Sequence, residues 1–148
     1  MTNVKQGKAL NIKDSRILIA GAASLVGSHT ADLLLKEGAR EVLLLDNFSF
    51  GSMDAIAHLQ NEPRIKIVRA DLMRLPDLLQ ATEGVDGVIH LAAYMTLGFS
   101  QTPWQAVDVN IRGAQNMLEA CRVNQVKKVI FASSNAVYGY GPGIKVEL

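Results

Sequence analysis

The chain has a single cysteine, Cys121, among its 148 residues, which excludes an internal disulfide and suits a reducing compartment. No apolar run approaches the length of a membrane span, and the opening M-T-N-V-K-Q-G-K-A-L-N-I-K-D-S is polar, without the apolar centre of a signal peptide. Neither sign of charge prevails. Fifteen basic against fourteen acidic residues leave a formal charge of +1, so there is no electrostatic case for nucleic acid or for a membrane surface. The histidines, His29, His58 and His90, have no partners at metal-ligand spacing, so no metal site is expected. Internal repeats and low-complexity tracts are absent. These absences leave a cytoplasmic globular domain, long enough to bury roughly two-thirds of the surface its unfolded form exposes.

What is present is organised around Arg16 to Gly27, R-I-L-I-A-G-A-A-S-L-V-G. Ile17 to Ala20 is a short apolar run of the kind buried on both faces of a parallel sheet. It stops at Gly21, and an apolar helical pattern follows through Leu25, Val26, Ala31, Leu33, Leu34 and Leu35. A strand that turns tightly into a helix leaves the first helical N–H groups unpaired, a site suited to phosphate.

Along the chain, residues 1–14 read as a flexible or loosely docked arm, and residues 15–148 as one domain. Strands are expected at Arg16 to Ala20, Glu41 to Asp46, Ile65 to Val68, Gly87 to Leu91 and Lys128 to Ala132. Helices are expected at Leu25 to Glu37 (closed by Gly38), Met53 to Gln60 and Leu75 to Ala81, with a long one from Pro103 to about Val123. This alternation gives an α/β fold, a doubly wound parallel sheet of Rossmann type with strand order 3-2-1-4-5. Its ligand crevice lies at the carboxyl ends of strands one and four, where the winding reverses. The Gly21 turn, Asp46, Asp71, His90 to Ala93, Ser133 and Ser134 each lie just after a strand and converge there.

Asp46 stands about twenty residues past the glycine turn, where a carboxylate accepts hydrogen bonds from an adenosine ribose and repels a 2′-phosphate, favouring NAD over NADP. Asp71 is placed either to reach an adenine amino group or to cap the next helix. Ala92 and Ala93 are small enough for a flat cofactor to lie against the backbone, or for close core packing.

Taken together, G-A-A-S-L-V-G-S-H, L-L-L-D-N-F-S-F-G-S, A-D-L, I-H-L-A-A, V-N-I-R-G-A-Q-N-M-L-E-A-C and K-K-V-I-F-A-S-S-N-A-V-Y-G resemble the extended short-chain dehydrogenase/reductases. Within that group the resemblance is to the NAD-dependent epimerases and dehydratases of nucleotide sugars. It implies NAD laid over Gly21, Ser24, Leu25 and Val26, with ribose at Asp46 and Asn47 and adenine at Asp71 and Leu72. It implies the nicotinamide half along Leu91, Ala92 and Ala93, with Asn110 and Ser133 bordering it and Ser134 bonded to the sugar hydroxyl being oxidised.

Two departures stand out. Ser24 replaces the middle glycine of Gly-x-x-Gly-x-x-Gly, putting a Cβ where backbone approaches the pyrophosphate, or a hydroxyl that donates to a phosphate oxygen; binding is expected to be weakened rather than abolished, unless the position requires a positive φ. The family's Tyr-x-x-x-Lys, which takes up the hydroxyl proton, is absent: the residues four after Tyr94, Tyr138 and Tyr140 are Gly98, Pro142 and Ile144. Tyr140 and Lys145, five apart across Gly-Pro-Gly, do not replace it. The chain therefore reads as the cofactor half of a larger enzyme, ending after strand five. The alternatives are a stand-alone dinucleotide-binding module and an inactive folded remnant.

In that reading strand five is an open edge, where Val129, Ile130 and Phe131 pair with another copy or are covered by the tail I-K-V-E-L. The long helix would offer Val107, Ile111, Met117 and Leu118 to a homodimer. His29 and His58 are expected at the surface, Cys121 in the core, Trp104 packed at its helix start (or bordering a substrate region), and Tyr138 structural.

Overall fold

The computed structural model describes residues 10–95 and 100–139. Its five parallel strands, β1 Arg16–Ala20, β2 Glu41–Asp46, β3 Ile65–Arg69, β4 Gly87–His90 and β5 Lys128–Phe131, form one sheet in the order β3-β2-β1-β4-β5. Helix α1 is Leu25–Lys36, a 3-10 helix spans Met53–Leu59, and α2 is Leu75–Ala81. The long helical stretch after β4 consists of α3 Pro103–Val107, a π-helical turn Asp108–Gly113, and α4 Ala114–Val123. A second 3-10 helix, Asn135–Tyr138, follows β5.

Right-handed crossovers that reverse direction after β3 put α1 and the first 3-10 helix on one face of the sheet and α2 and α4 on the other. Strand side chains alternate between the two layers so formed. Leu18, Ala20, Leu43, Leu45 and Val88 meet Leu78 and Ala81 of α2 and Met117, Ala120 and Cys121 of α4. Ile17, Ile19, Val42 and Leu44 meet Ala31 and Leu34 of α1 and Ile56 and Leu59 of the 3-10 helix. Each large side chain so buried contributes about 1.5–3 kcal/mol, which fixes the strand ends that carry the site. Cys121 is in the first of these layers, and burial pushes its thiol up to about 11.

The register then sets the site edge. Ala20 pairs with both Leu45 and His90, and Asp46 with Arg69, so Gly21, Asp46 and Leu91 emerge together at the carboxyl end of the sheet.

Several expectations change. Of the arm expected to be flexible or loosely docked, residues 10–14 are docked: Ile12 packs on the α1 layer, and Asp14 N–H donates to Gly38 O at 3.0 Å. Residues 1–9 and the I-K-V-E-L tail lie outside the described residues, as do Tyr140 and Lys145. Leu25, Val26 and Leu33 are exposed; the buried face of α1 is Gly27, Ser28, Ala31 and Leu34. Met117 belongs to the core, whereas Val107, Ile111 and Leu118 face outward. Trp104 and Tyr138 are exposed and do not pack as supports.

Candidate functional site

The site begins where β1 ends. Gly21 has φ +80°, and a Cβ on it would stand 2.7 Å from Ala92 N, so the glycine turn and the segment after β4 touch backbone to backbone. A Cβ on Gly27 would stand 2.5 Å from Ala22 O, which holds the start of α1 against the turn. Ser24 sits at φ −139° and ψ 168°, ordinary extended backbone, so the serine carries no strain. Its hydroxyl donates to Gly21 O at 2.8 Å and accepts from Gly27 N–H at 3.1 Å, capping the helix. Among the described residues, the N–H groups of Leu25 and Val26 have no partner, and both residues line a cavity of about 510 Å³. Their exposure is thus the wall of a cavity, where the sequence pattern suggested core.

The loop after β2 is tied to this turn through Asp46. One carboxylate oxygen accepts from Ala23 N–H at 3.0 Å and the other from Phe48 N–H at 2.8 Å. A carboxylate oxygen has a second lone-pair direction, so two ligand hydroxyls can still be accepted. Ser52 N–H donates to Ala23 O at 3.2 Å, and a Cβ on Gly51 would come within 2.7 Å of Ala23 Cβ. Asn47 reaches Asp71 at 3.4 Å, joining the loops after β2 and β3. Asp71 does not cap α2; its carboxylate accepts from Met73 N–H at 2.9 Å and closes its own turn. Leu72 is held from the far side by Gly113 and by Asn116 Nδ2, which donates to Leu72 O at 2.8 Å.

The opposite wall follows β4. Leu91 N–H donates to Ala20 O at 2.9 Å, and Leu91, Ala92 and Ala93 line the cavity. Asn110 does not line it. Its carboxamide accepts from Tyr94 N–H at 2.7 Å and donates to Tyr94 O at 3.0 Å, so the π turn brings it in as a brace behind that wall. Ser133 and Ser134 also lie outside the lining, where Ala132 stands instead; Ser134 Oγ accepts from Ala136 N–H at 3.2 Å. His90 is buried beneath, stacked on Phe131 with centroids 5.3 Å apart; burial lowers its pKa, which keeps the imidazole neutral.

The cavity therefore unites Gly21, Ser24, Leu25, Val26, Asp46, Asn47, Asp71, Leu72, Leu91, Ala92 and Ala93. Sequence reasoning missed Gly51, Phe50 and Tyr94. The Gly-Ser pair after an aromatic in F-S-F-G-S is the signal for Phe50 and Gly51, and the position of Tyr94 directly after L-A-A is the one for Tyr94.

The model of the NAD dependent epimerase/dehydratase family matches residues 17–147. The chain belongs to this family. Its relatives include an uncharacterized UDP-glucose epimerase, YtcB, of Bacillus subtilis, 35% identical over 138 residues covering 86% of this chain and 42% of that protein. Among solved structures, UDP-N-acetylglucosamine 4-epimerase from Methanobrevibacter ruminantium M1 matches with TM-score 0.79 and 34% identity, over 91% of this chain and 43% of that one. UDP-glucose 4-epimerase from Brucella ovis in complex with NAD matches with TM-score 0.77 and 32% identity, over 88% and 39%. The chain thus spans about two-fifths of the length of these relatives. It corresponds to the NAD-binding portion of epimerases and dehydratases. The residues fit that cofactor: the glycine turn brings the loops after β1 and β4 into backbone contact, and the first helical amides, at Leu25 and Val26 on the cavity wall, are donors of the kind a diphosphate takes.

Proposed function

We propose that this chain binds NAD(H) along the cavity and serves as the cofactor-carrying portion of a nucleotide-sugar epimerase or dehydratase. The observation that carries the reading is the meeting, in one cavity, of unpaired helix amides, Asp46, the Asp71–Leu72 turn and the small Leu91–Ala93 wall. The pyrophosphate takes the amides of Leu25 and Val26, the ribose takes Asp46 and Asn47, and the adenine lies by Asp71 and Leu72. The nicotinamide half runs along Leu91 to Ala93, on the wall braced by Asn110.

Bound NAD supplies a hydride acceptor for the sugar carbon being oxidised. The chain's own residues orient it and Ser134 is assigned to the sugar hydroxyl, but the base that takes the proton is not in this sequence. Turnover therefore needs a Tyr-x-x-x-Lys from elsewhere. Titration with NADH and then NADPH, followed by nicotinamide fluorescence, is expected to show saturable NADH binding with NADPH at least about tenfold weaker, since a 2′-phosphate meets the Asp46 charge. Incubation with a UDP-sugar is expected to show no interconversion. Binding of neither nucleotide by a chain folded by circular dichroism overturns the reading. A stand-alone dinucleotide-binding module is the second reading, favoured by the absence of any Tyr-x-x-x-Lys from this sequence; a reading frame continuing into Tyr-x-x-x-Lys excludes it.

Self-association belongs to the same proposal. β5 is the outer strand of the sheet, and Ile130 and Phe131 on it are each 52% exposed. An apolar outer strand invites pairing with a second copy. Sedimentation velocity is expected to show a dimer at working concentration, with Ile130→Lys shifting it to monomer; a parent chain that sediments as a monomer counts against it. The compartment proposed is the cytoplasm, whose reducing conditions suit the single buried thiol.

A further inference from the structure

We propose that Phe50 and Tyr94 form an aromatic strap that encircles the bound dinucleotide and governs its release; this rests on the NAD(H) reading above. The two rings meet edge to face with centroids 4.9 Å apart and planes at 90°. Phe50 comes from the loop after β2, Tyr94 from the segment after β4, and both line the cavity. Phe50 is nevertheless 72% exposed, so core packing does not explain its place.

The contact closes a ring. The glycine turn joins the β2 loop through Ser52 N–H to Ala23 O and the close approach of Gly51. The same turn joins the β4 segment through Gly21 against Ala92. Phe50 against Tyr94 supplies the third side, linking the β2 loop directly to the β4 segment. A ligand with one half at Asp46 and Asp71 and the other along Leu91 to Ala93 lies across this ring.

Both ends of the strap are anchored from behind. Gly51 is wedged against Ala23 and Asp46, which sets Phe50. Asn110 grips both backbone groups of Tyr94, and the Tyr94 hydroxyl lies 3.4 Å from Gln105 Oε1. The rings meet on fixed backbones, yet an edge-to-face pair is worth only roughly a two- to tenfold bias. A contact of that size holds a ligand in place and still opens by thermal motion.

The test is the release rate of NADH, measured by stopped-flow displacement with excess NAD, beside the affinity for AMP, which occupies only the adenosine side. Phe50→Ala and Tyr94→Ala are expected to release NADH about two- to tenfold faster while AMP affinity stays within about twofold. Tyr94→Phe, which retains the ring and loses only the hydroxyl's contact with Gln105, is expected to release NADH more slowly than Tyr94→Ala. Release from Phe50→Ala at the parent rate overturns the strap alone, as does an equal loss of AMP affinity, which would mean the loop itself had moved. A parent chain that does not bind NADH overturns the underlying reading and the strap with it.

Discussion

Gly21→Ala is expected to destabilise the domain by about 2–4 kcal/mol and to remove measurable NADH binding. Two independent costs meet at this residue. Its φ of +80° is one that side chains rarely adopt, a penalty of about 1 kcal/mol for alanine. The added Cβ would also lie 2.7 Å from Ala92 N and 2.8 Å from Ala92 Cα, against backbone rather than a side chain that can swing aside. Relief means moving the β1 turn away from the β4 segment, and Gly21 N–H is itself held by Leu45 O at 2.9 Å on the other side. The turn is thus pinned between β2 and β4. The phosphate-binding amides and the Ala92 wall share that pin, so binding falls with stability. Urea unfolding and NADH titration of the same variant check both halves. Unfolding within about 0.5 kcal/mol of the parent would show that the two segments separate easily.

Asp46→Ala is expected to weaken NADH about a hundredfold, because hydrogen bonds from two ribose hydroxyls to a charged acceptor are worth about 1.5–3 kcal/mol each before non-additivity. The same change strands Ala23 N–H and Phe48 N–H, which the carboxylate now accepts at 3.0 and 2.8 Å. Some of the loss therefore comes from loosening the loop rather than from the missing ribose contacts. Asp46→Asn separates the two. Its amide keeps one acceptor oxygen and puts a donor where the other stood, so it retains one of the two backbone ties and carries no charge. In both variants the ratio of NADPH to NADH affinity rises, since the Asp46 charge no longer repels the 2′-phosphate. Fluorescence titration of the three proteins with both nucleotides is the measurement. An unchanged ratio in Asp46→Asn would place the ribose away from Asp46.

Much of this was legible in the sequence, because it depends on local pattern. Runs such as Ile17–Ala20 and Val42–Leu45 have one stable use, a strand covered on both faces, and right-handed crossovers then dictate their order. Asp46 and Asp71 were found because the residue after a parallel strand lands at the crevice. What was hidden depends on direction. Leu25 and Val26 satisfy a helical apolar period, and that period does not distinguish a core from the wall of a cavity. Met117 and Leu118 were assigned to one face, yet neighbours on a helix stand about 100° apart, and only Leu118 faces outward. Asn110 lies inside the π turn, whose wider winding departs from the regular helical step, which is why its number does not give its orientation. At Ser24 the extended backbone meets no positive-φ requirement, which leaves the bulk of its Cβ as the departure the sequence shows. The Phe50–Tyr94 contact joins two loops distant in the chain and leaves no local trace.

Cys121 gives the fold a built-in clock. The chain's one thiol sits in the layer between the sheet and the α2–α4 pair, with its proton held well above the usual thiol range. Thiolate is the reactive form, so an alkylating reagent is refused by the native state and admitted only when that layer parts. The rate of labelling by that reagent therefore reports how often the interior opens, without a denaturant. Any ligand that binds solely the closed form slows the labelling in proportion to its occupancy.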